Sequence, residues 1–161
     1  MPYWGLTIGQ QGVADVIAYL KVTFKGSPET TATAAGGAPS GICPQPRKTK
    51  RAPGKFRNMI NPLPENAANI KAGETLFQQT ALPLACMNCH GVKGDGQGPM
   101  GAALSPRPRN FTCSDTMKDI SDGQMYWIIK KGSIGTGMMA FSGMPNHQIW
   151  QLIQYIRTLA K

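Results

Sequence analysis

The stretch Cys86-Met87-Asn88-Cys89-His90 determines which fold is expected for this sequence. Two cysteines separated by two residues, and followed directly by a histidine, form the C-x-x-C-H pattern to which c-type haem is attached. The two thiols add across the porphyrin vinyl groups, and the short spacing places both sulfurs on one turn. His90 then points at the iron and is the expected proximal ligand. The sequence therefore predicts one covalently bound haem c.

Two other kinds of site use cysteines at this spacing. A thioredoxin-like redox pair follows a strand and opens a helix, whereas a helical pattern and the short loop 81–85 precede this motif. A zinc site needs two further ligands, and Cys113 and His147 supply them only without the usual paired spacing. Haem attachment is the favoured interpretation, and these two remain as alternatives.

Length, composition and charge limit the classes of protein to which the chain can belong. Its 161 residues suffice for one well-packed domain or two very small ones, and 19 Gly and 13 Pro predict much loop. The net charge of +9 favours acidic proteins or an anionic surface as partners. Nucleic acid is not expected, because no nucleic-acid-binding motif accompanies the charge. No transmembrane segment is predicted, since there is no apolar run of about eighteen residues.

Three helices and no convincing strand are expected within residues 65–161. Apolar residues recur at helical spacing in the segments 67–79, 121–131 and 146–160. Ser121 or Asp122 is the candidate N-cap of the second helix, and Gly132 is its candidate end. The residues expected to face inward are Ile70, Leu76, Phe77, Met125, Ile128, Ile129, Ile149, Leu152, Ile153, Ile156 and Leu159. Because long loops join these helices, a large apolar group such as a haem is needed to fill the centre.

Residues 65–161 resemble a class I cytochrome c domain from end to end. The resemblance is carried by Gly73 and Phe77 in the first helix, Cys89-His90-Gly91, the loop Gly94-Asp95-Gly96-Gln97-Gly98-Pro99, and the final Trp150-Gln151-Leu152-Ile153-Gln154-Tyr155-Ile156-Arg157. It implies an all-α fold, cytochrome c-like, with three main helices and long loops around the haem. It also implies that the first and last helices cross closely at Gly73, with Phe77 and Tyr155 packed near the crossing.

The resemblance also points to the second iron ligand. The family places this ligand before the last helix in a pattern like G-T-G-M-P-x-F, and the matching segment here is Gly135-Thr136-Gly137-Met138-Met139-Ala140-Phe141. Met138 is the expected axial ligand, and Met139, which stands where the usual proline would be, is the alternative. Met144 and His147 fall at the start of the last helix and are expected to face solvent.

Three further residues are candidates for contact with the haem or its ligand. By resemblance, the backbone carbonyl of Pro99 accepts a hydrogen bond from the second ring nitrogen of His90 and fixes its tautomer. Arg107 and Arg109 are expected to reach the haem propionates through charge-assisted hydrogen bonds. The alternative for both arginines is that they are solvated loop charges.

The segment 27–64 is expected to be a linker followed by an extended basic arm. Residues 27–41 are rich in small residues and read as a flexible linker. No acid interrupts the cations that follow, which are Arg47, Lys48, Lys50, Arg51, Lys55 and Arg57. We expect this proline-rich arm to dock on an acidic surface of a partner. Cys43 in the arm and Cys113 are the remaining cysteines, and they are expected to form a disulfide if the protein is exported, or else to stay free.

Residues 1–26 resemble the end of a preceding cytochrome c domain. Met1, Trp4 and Gly5 precede a helical pattern, much as Met138 precedes Phe141, Gly143 and the last helix. No secretory signal is found at the start of the sequence. We therefore expect the chain to be the C-terminal part of a longer, exported, two-haem protein. The alternative is an ordinary amphipathic helix.

The function expected from these features is electron transfer through a His/Met-ligated haem. The protein is expected to be periplasmic or otherwise exported, to exchange electrons with other redox proteins, and not to be an enzyme itself. It would be a free carrier or the haem-bearing subunit of a larger complex, such as one of a respiratory chain. The alternative is an open-site haem enzyme or gas-binding sensor, but no His or carboxylate flanks Met138 to provide acid–base chemistry.

Overall fold

The computed structural model describes residues 41–46 and 48–161. Within them the secondary structure is entirely helical, which confirms the all-α fold class. The helices are α1 Gly54–Arg57, α2 Ala67–Thr75, α3 Met87–His90, α4 Ser114–Met117, α5 Asp122–Lys131 and α6 Asn146–Leu159. A π-helical turn, Leu76–Thr80, extends α2. The three predicted helices are confirmed to within a residue at each end, and the predicted N-terminal helix lies outside the described residues.

The close crossing of α2 and α6 organises the core. Gly73 on α2 is buried, and a Cβ atom there would lie 2.1 Å from the carbonyl oxygen of Gln151 and 2.9 Å from the Cβ of Tyr155. Only a residue without a side chain lets the two backbones approach so closely. The rings of Phe77 and Tyr155 lie 5.4 Å apart, centroid to centroid. The predicted crossing at Gly73 and its aromatic neighbours are therefore confirmed.

Helix α5 begins and ends where the sequence indicates. The hydroxyl of Ser121 accepts a hydrogen bond from the backbone N–H of Gln124 at 3.2 Å, which makes Ser121 the N-cap. Gly132 follows the last turn with a φ of 74°, a conformation that glycine adopts without strain. The rings of Tyr126 on α5 and Trp150 on α6 stack at 4.6 Å. The middle predicted helix thus packs on the last one.

Most of the expected inward-facing residues line the core, but Ile128 is half-buried and lines the cavity described below instead. The buried side chains include Ile149, Leu152, Ile153 and Ile156 on α6, Leu76 and Phe77 in the π-helical turn, and Met125 and Ile129 on α5. Ile70 and Leu159 are partly buried and pack against this cluster. None of the described helices is long and apolar enough to span a membrane.

The arm, meaning residues 41–64, packs against the helices through hydrogen bonds from amide side chains. The side chain of Gln124 on α5 accepts from the backbone N–H of Ala52 at 2.7 Å and donates to the carbonyl of Lys50 at 3.0 Å. Asn61 donates to the carbonyl of Trp150 at 3.0 Å. The described part of the arm therefore belongs to the same compact unit as the helices.

Candidate haem site

An apolar cavity of about 410 Å³ lies between the C-x-x-C-H motif, the loop after it, α5 and the loop before α6. Cys86, Cys89 and His90 line it from the motif, and Met138 and Met139 line it from the loop before α6. Its apolar lining includes Leu104, Phe111, Met117, Met125, Ile128, Ile129, Phe141 and Ile156. The residues that sequence reasoning assigned to iron and to covalent attachment thus meet in one cavity.

The motif itself forms the one-turn helix α3, with Cys86 as its N-cap. Cys86 and Cys89 are three residues apart, and residues at this spacing share one face of a helical turn. Burial raises the pKa of the Cys86 thiol to about 12. A thioredoxin-like pair needs the opposite shift, because its attacking cysteine must be a thiolate. The environment of Cys86 therefore disfavours the redox-pair interpretation.

The imidazole of His90 is buried and neutral at physiological pH. Burial lowers its pKa to about 4, and only the neutral ring has a nitrogen lone pair to offer to a metal. Nδ1 lies 3.0 Å from the backbone carbonyl oxygen of Arg109 and is the nitrogen placed to donate to it. Nε2 is then the nitrogen that can ligate iron. The ring of Phe111 stacks on the imidazole at 4.5 Å and restricts its orientation.

The prediction that the carbonyl of Pro99 accepts this hydrogen bond is wrong. Pro99 is exposed. The residue before it contacts the backbone of the motif rather than the imidazole: the N–H of Gly98 donates a hydrogen bond to the carbonyl of Cys89 at 3.1 Å. The segment that contacts the imidazole lies later in the chain, at residues 109–111. It is held there by a hydrogen bond from the N–H of Phe111 to the carbonyl of Gly94 at 2.7 Å. That bond brings the carbonyl of Arg109 beside His90.

Met138 and Met139 differ in how firmly they are held. Met138 is partly buried and packs against the hydrophobic core, whereas Met139 is 44 % exposed. The N–H of Met138 donates to the hydroxyl of Thr136 at 3.1 Å, and its carbonyl accepts from the N–H of Ser133 at 3.0 Å. These bonds fix the backbone of Met138 at the cavity wall. The geometry therefore favours Met138 over Met139 as the side chain facing a haem.

The expectation that Met144 faces solvent is wrong, and that for His147 is confirmed. Met144 is only 6 % exposed and belongs to the core cluster. The turn in which its N–H bonds the carbonyl of Phe141 at 3.0 Å directs it inward just before α6. His147 lies in the first turn of α6 and is exposed.

The predicted disulfide between Cys43 and Cys113 is confirmed, with their Cα atoms 5.6 Å apart. Cys113 is therefore not available as a zinc ligand beside Cys86 and Cys89. Across residues 41–46 and 48–161, no group of three or more His, Cys, Asp or Glu side chains is placed to hold a metal ion. The zinc interpretation of the motif has no support in this geometry.

The arm also lines the cavity, which sequence reasoning missed. Ile42, Gln45, Pro46, Lys48 and Thr49 contribute to its wall. One sequence feature indicated that the arm lies near the cavity, namely the expected pairing of Cys43 with Cys113. Cys113 directly follows the loop whose Arg109 carbonyl is hydrogen-bonded to His90. No periodic pattern identifies the other arm residues.

The two arginines expected to contact the haem propionates line the cavity on the same side as the arm. Arg107 and Arg109 both line the cavity, and Arg107 is exposed. The guanidinium of Arg109 donates from Nη1 to the backbone carbonyl of Gln45 at 3.1 Å. Arg109 therefore contributes to the packing of the arm, and a contact with the haem remains a prediction for both arginines.

The family model for cytochrome c matches residues 70–160, more than half of the 161 residues. This chain belongs to the cytochrome c family. The family implies a covalently bound haem c and haem-based electron transfer. The residues present fit that cofactor: two unpaired thiols, a buried neutral imidazole and a thioether face one apolar cavity. No match was found among curated proteins.

Among solved structures, the chain is similar to a chain of the Kuenenia stuttgartiensis reducing HAO-like protein complex Kustc0457/Kustc0458. The two are 27 % identical with a TM-score of 0.54. The match covers 62 % of this chain and 47 % of the other, so it spans about half the length of that chain.

Proposed function

We propose that this protein transfers single electrons through one haem c that is held by Cys86 and Cys89 and ligated by His90 and Met138. The observation that carries the proposal is that all four side chains line the same apolar cavity. A haem bound there supplies the one-electron Fe(III)/Fe(II) couple.

The roles of the side chains follow from their surroundings. His90 is kept neutral by burial and oriented by its bond to the carbonyl of Arg109. A thioether from Met138 favours ferrous iron and raises the reduction potential. On a bound haem it would also block access of oxygen or peroxide to the iron. The largely apolar lining lowers the local dielectric, which is one of the ways in which a protein tunes the reduction potential of a haem.

Covalent attachment is tested by extracting the protein with acidified acetone. The haem is expected to remain with the polypeptide. Cys86→Ser combined with Cys89→Ser should release it completely, because both thioether bonds are then absent. Cys43→Ser combined with Cys113→Ser is the matched control, since it removes two cysteines of the same chain and should leave the haem attached. Haem that extracts from the wild-type protein would contradict the proposal.

The axial ligand is tested by two neighbouring substitutions. Met138→Ala should abolish the near-infrared sulfur-to-iron absorption band and open the ferrous iron to carbon monoxide. Met139→Ala is the matched control and should retain the band. If only Met139→Ala loses it, the ligand is Met139. Wild-type protein that binds carbon monoxide readily would instead support the open-site haem enzyme or sensor.

We further propose that the protein works outside the cytoplasm, as the haem-bearing subunit of a larger redox assembly or as a carrier that serves one. The disulfide between Cys43 and Cys113 supports an oxidising compartment, because such bonds persist mainly in exported proteins. The similarity to a chain of a protein complex supports the assembly. Periplasmic fractionation of the source cells and size measurement of the native haem-containing species test the two statements separately.

The partner is proposed to bind the basic arm with an acidic surface. The arm residues Lys48, Lys50, Arg51, Lys55 and Arg57 are all exposed. Because salt screens exposed charges within roughly 8 Å at physiological ionic strength, the association should weaken as salt rises. Lys55→Gln with Arg57→Gln should weaken it as well. The control is Lys71→Gln with Lys118→Gln, which removes two lysines that already pair with Glu74 and Asp115. A salt-independent affinity would contradict this docking mode.

A further inference from the structure

One arm residue, Gln45, holds the backbone segment that orients the proximal histidine. Its side-chain Nε2 donates to the carbonyl of Pro108 at 3.0 Å and approaches the carbonyl of Arg107 at 3.4 Å. Its Oε1 accepts from the backbone N–H of Asn110 at 3.0 Å. Both ends of the side-chain amide therefore bond one short backbone segment, residues 107–110, and Gln45 lies outside the residues that match the family model.

The residue enclosed by these bonds is Arg109, whose carbonyl accepts the hydrogen bond from Nδ1 of His90. The bond from the N–H of Asn110 holds the peptide unit that contains the Arg109 carbonyl, and the bond to the carbonyl of Pro108 holds the preceding peptide unit. The guanidinium of Arg109 adds a third link, since it donates to the backbone carbonyl of Gln45 at 3.1 Å. The direction of the Arg109 carbonyl is therefore set by the arm as well as by the loop that carries it.

We propose that Gln45 is a positioning residue for His90, a role that rests on the proposed ligation of iron by that histidine. Hydrogen bonds to the second nitrogen of a metal-bound histidine fix its orientation and raise its basicity as a ligand. A more basic imidazole stabilises ferric iron relative to ferrous iron. Gln45 thus acts on the reduction potential without touching the haem ligand, through the carbonyl of Arg109.

The arm has enough other anchors that the side chain of Gln45 can be tested alone. The backbone N–H of Gln45 donates to the hydroxyl of Thr116 at 2.8 Å, and Asn110 donates to the carbonyl of Gly41 at 2.9 Å. The disulfide between Cys43 and Cys113 holds the arm covalently. A substitution that removes only the amide of Gln45 therefore leaves this part of the arm attached.

The test compares Gln45→Met with Gln154→Met in the haem-loaded full chain. Gln154 is the matched control, because its Nε2 also donates to two consecutive carbonyls of the arm, those of Leu63 at 3.1 Å and Pro64 at 3.2 Å. Gln154 does not line the cavity. Two quantities are measured for each protein: the reduction potential, and the exchange rate of the His90 Nδ1 proton in the reduced state by NMR.

Gln45→Met is expected to speed exchange of the Nδ1 proton at least tenfold. It should also raise the equilibrium constant for reduction by a fixed donor several-fold, where a tenfold change corresponds to about 59 mV for one electron. Gln154→Met should leave both quantities at the wild-type values while lowering the melting temperature. If Gln45→Met does not fold, Gln45→Glu retains the acceptor for Asn110, loses the donor to Pro108, and should still speed proton exchange.

Two results would overturn the positioning role. The first is a Gln45→Met protein whose Nδ1 proton exchange rate and reduction potential equal those of the wild type. The second is an equal change of both quantities in Gln45→Met and Gln154→Met, which would indicate a general loss of rigidity rather than a specific role of Gln45. Each is distinct from failure of the proposed function. That failure would show as haem extracted from the wild-type protein by acidified acetone, and would remove the basis of the positioning role as well.

Discussion

The arm, residues 41–64, and the pair of helices α2 and α6 are held in place by different kinds of contact. The helices meet through apolar side chains, with Phe77, Ile149 and Ile153 wholly buried. The arm is held by one disulfide, by apolar packing of Phe56, Met59 and Leu63 against the core, and by hydrogen bonds of amide side chains. Asn110, Gln124 and Gln154 bond the backbone of the arm, and Gln45 and Asn61 reach from the arm to the backbone of Pro108 and Trp150. Apolar burial follows a helical period that can be read from a sequence, whereas isolated amide contacts leave no such pattern.

The two regions should also differ in how they respond to substitution. Burying a large apolar side chain stabilises the folded state by roughly 1.5–3 kcal/mol, and cavities or clashes in a packed core add to the loss. A single hydrogen bond contributes only about 1 kcal/mol net. A substitution at the helix crossing should therefore cost more stability than the loss of any single hydrogen bond of the arm.

The largest effect is expected at the helix crossing, with Gly73→Val. The added Cβ would lie 2.1 Å from the carbonyl oxygen of Gln151, so α2 and α6 must separate. We expect a loss of about 4 kcal/mol or more in the free energy of unfolding, or failure to fold. Gly143→Val is the matched control, because nothing lies within 4 Å of a Cβ there. Thermal unfolding followed by circular dichroism measures both. Equal stability of the two variants would contradict the crossing.

The next effect tests the covalent link of the arm. Cys43→Ser with Cys113→Ser removes the disulfide, which closes a separation of 70 residues. Such bonds contribute roughly 2–4 kcal/mol, mainly by restricting the unfolded chain. We expect that loss in denaturant unfolding, and the same loss when wild-type protein is measured with a reductant. Native protein unfolded without reductant should show no thiol that can be labelled, and any labelled thiol would count against the bridge.

Much of the fold and part of the lining of the candidate site could be predicted from the sequence. The helices, the crossing at Gly73, the attachment motif and the Met138 loop each have a local pattern, either a period or a spacing. The acceptor for His90 had none. It was expected at Pro99, near in sequence, but a backbone hydrogen bond from Phe111 to Gly94 brings a later carbonyl to the ring. The contribution of Gln45 was missed for the same reason, since its partners lie more than 60 residues away.

A third substitution tests whether a partly buried ion pair also stabilises the helices. Arg157 on α6 donates to Asp122 Oδ1 from Nε at 2.8 Å and from Nη2 at 2.7 Å, and to the carbonyl of Met117 at 3.0 Å. Both side chains are partly buried, so breaking the pair leaves desolvated polar groups. Arg157→Met should cost about 1–3 kcal/mol. Lys118→Met, which breaks an exposed pair, should not measurably change stability. Equal effects on denaturant unfolding would show that burial does not distinguish the two pairs.

The smallest effect is expected where one amide holds the end of the arm. The side chain of Asn61 donates to the carbonyl of Trp150 at 3.0 Å and accepts from the N–H of Leu63 at 3.0 Å. Asn61→Ala should cost about 1 kcal/mol, which corresponds to roughly 2–4 °C in melting temperature for a chain of this size. Asn58→Ala, at an exposed position of the same arm, is the control and should change neither quantity.

Hydrogen exchange then shows whether the loss is local. If the arm is held bond by bond, Asn61→Ala should speed exchange at the N–H of Leu63 while amides of α6 keep the protection expected from the small global change. If the arm and the helices unfold as one unit, both should lose protection to the same extent. Uniform loss would mean that the amide contacts of the arm act cooperatively with the apolar core. The arm and the helices α2 and α6 would then differ in the kind of contact that holds them but not in their local stability.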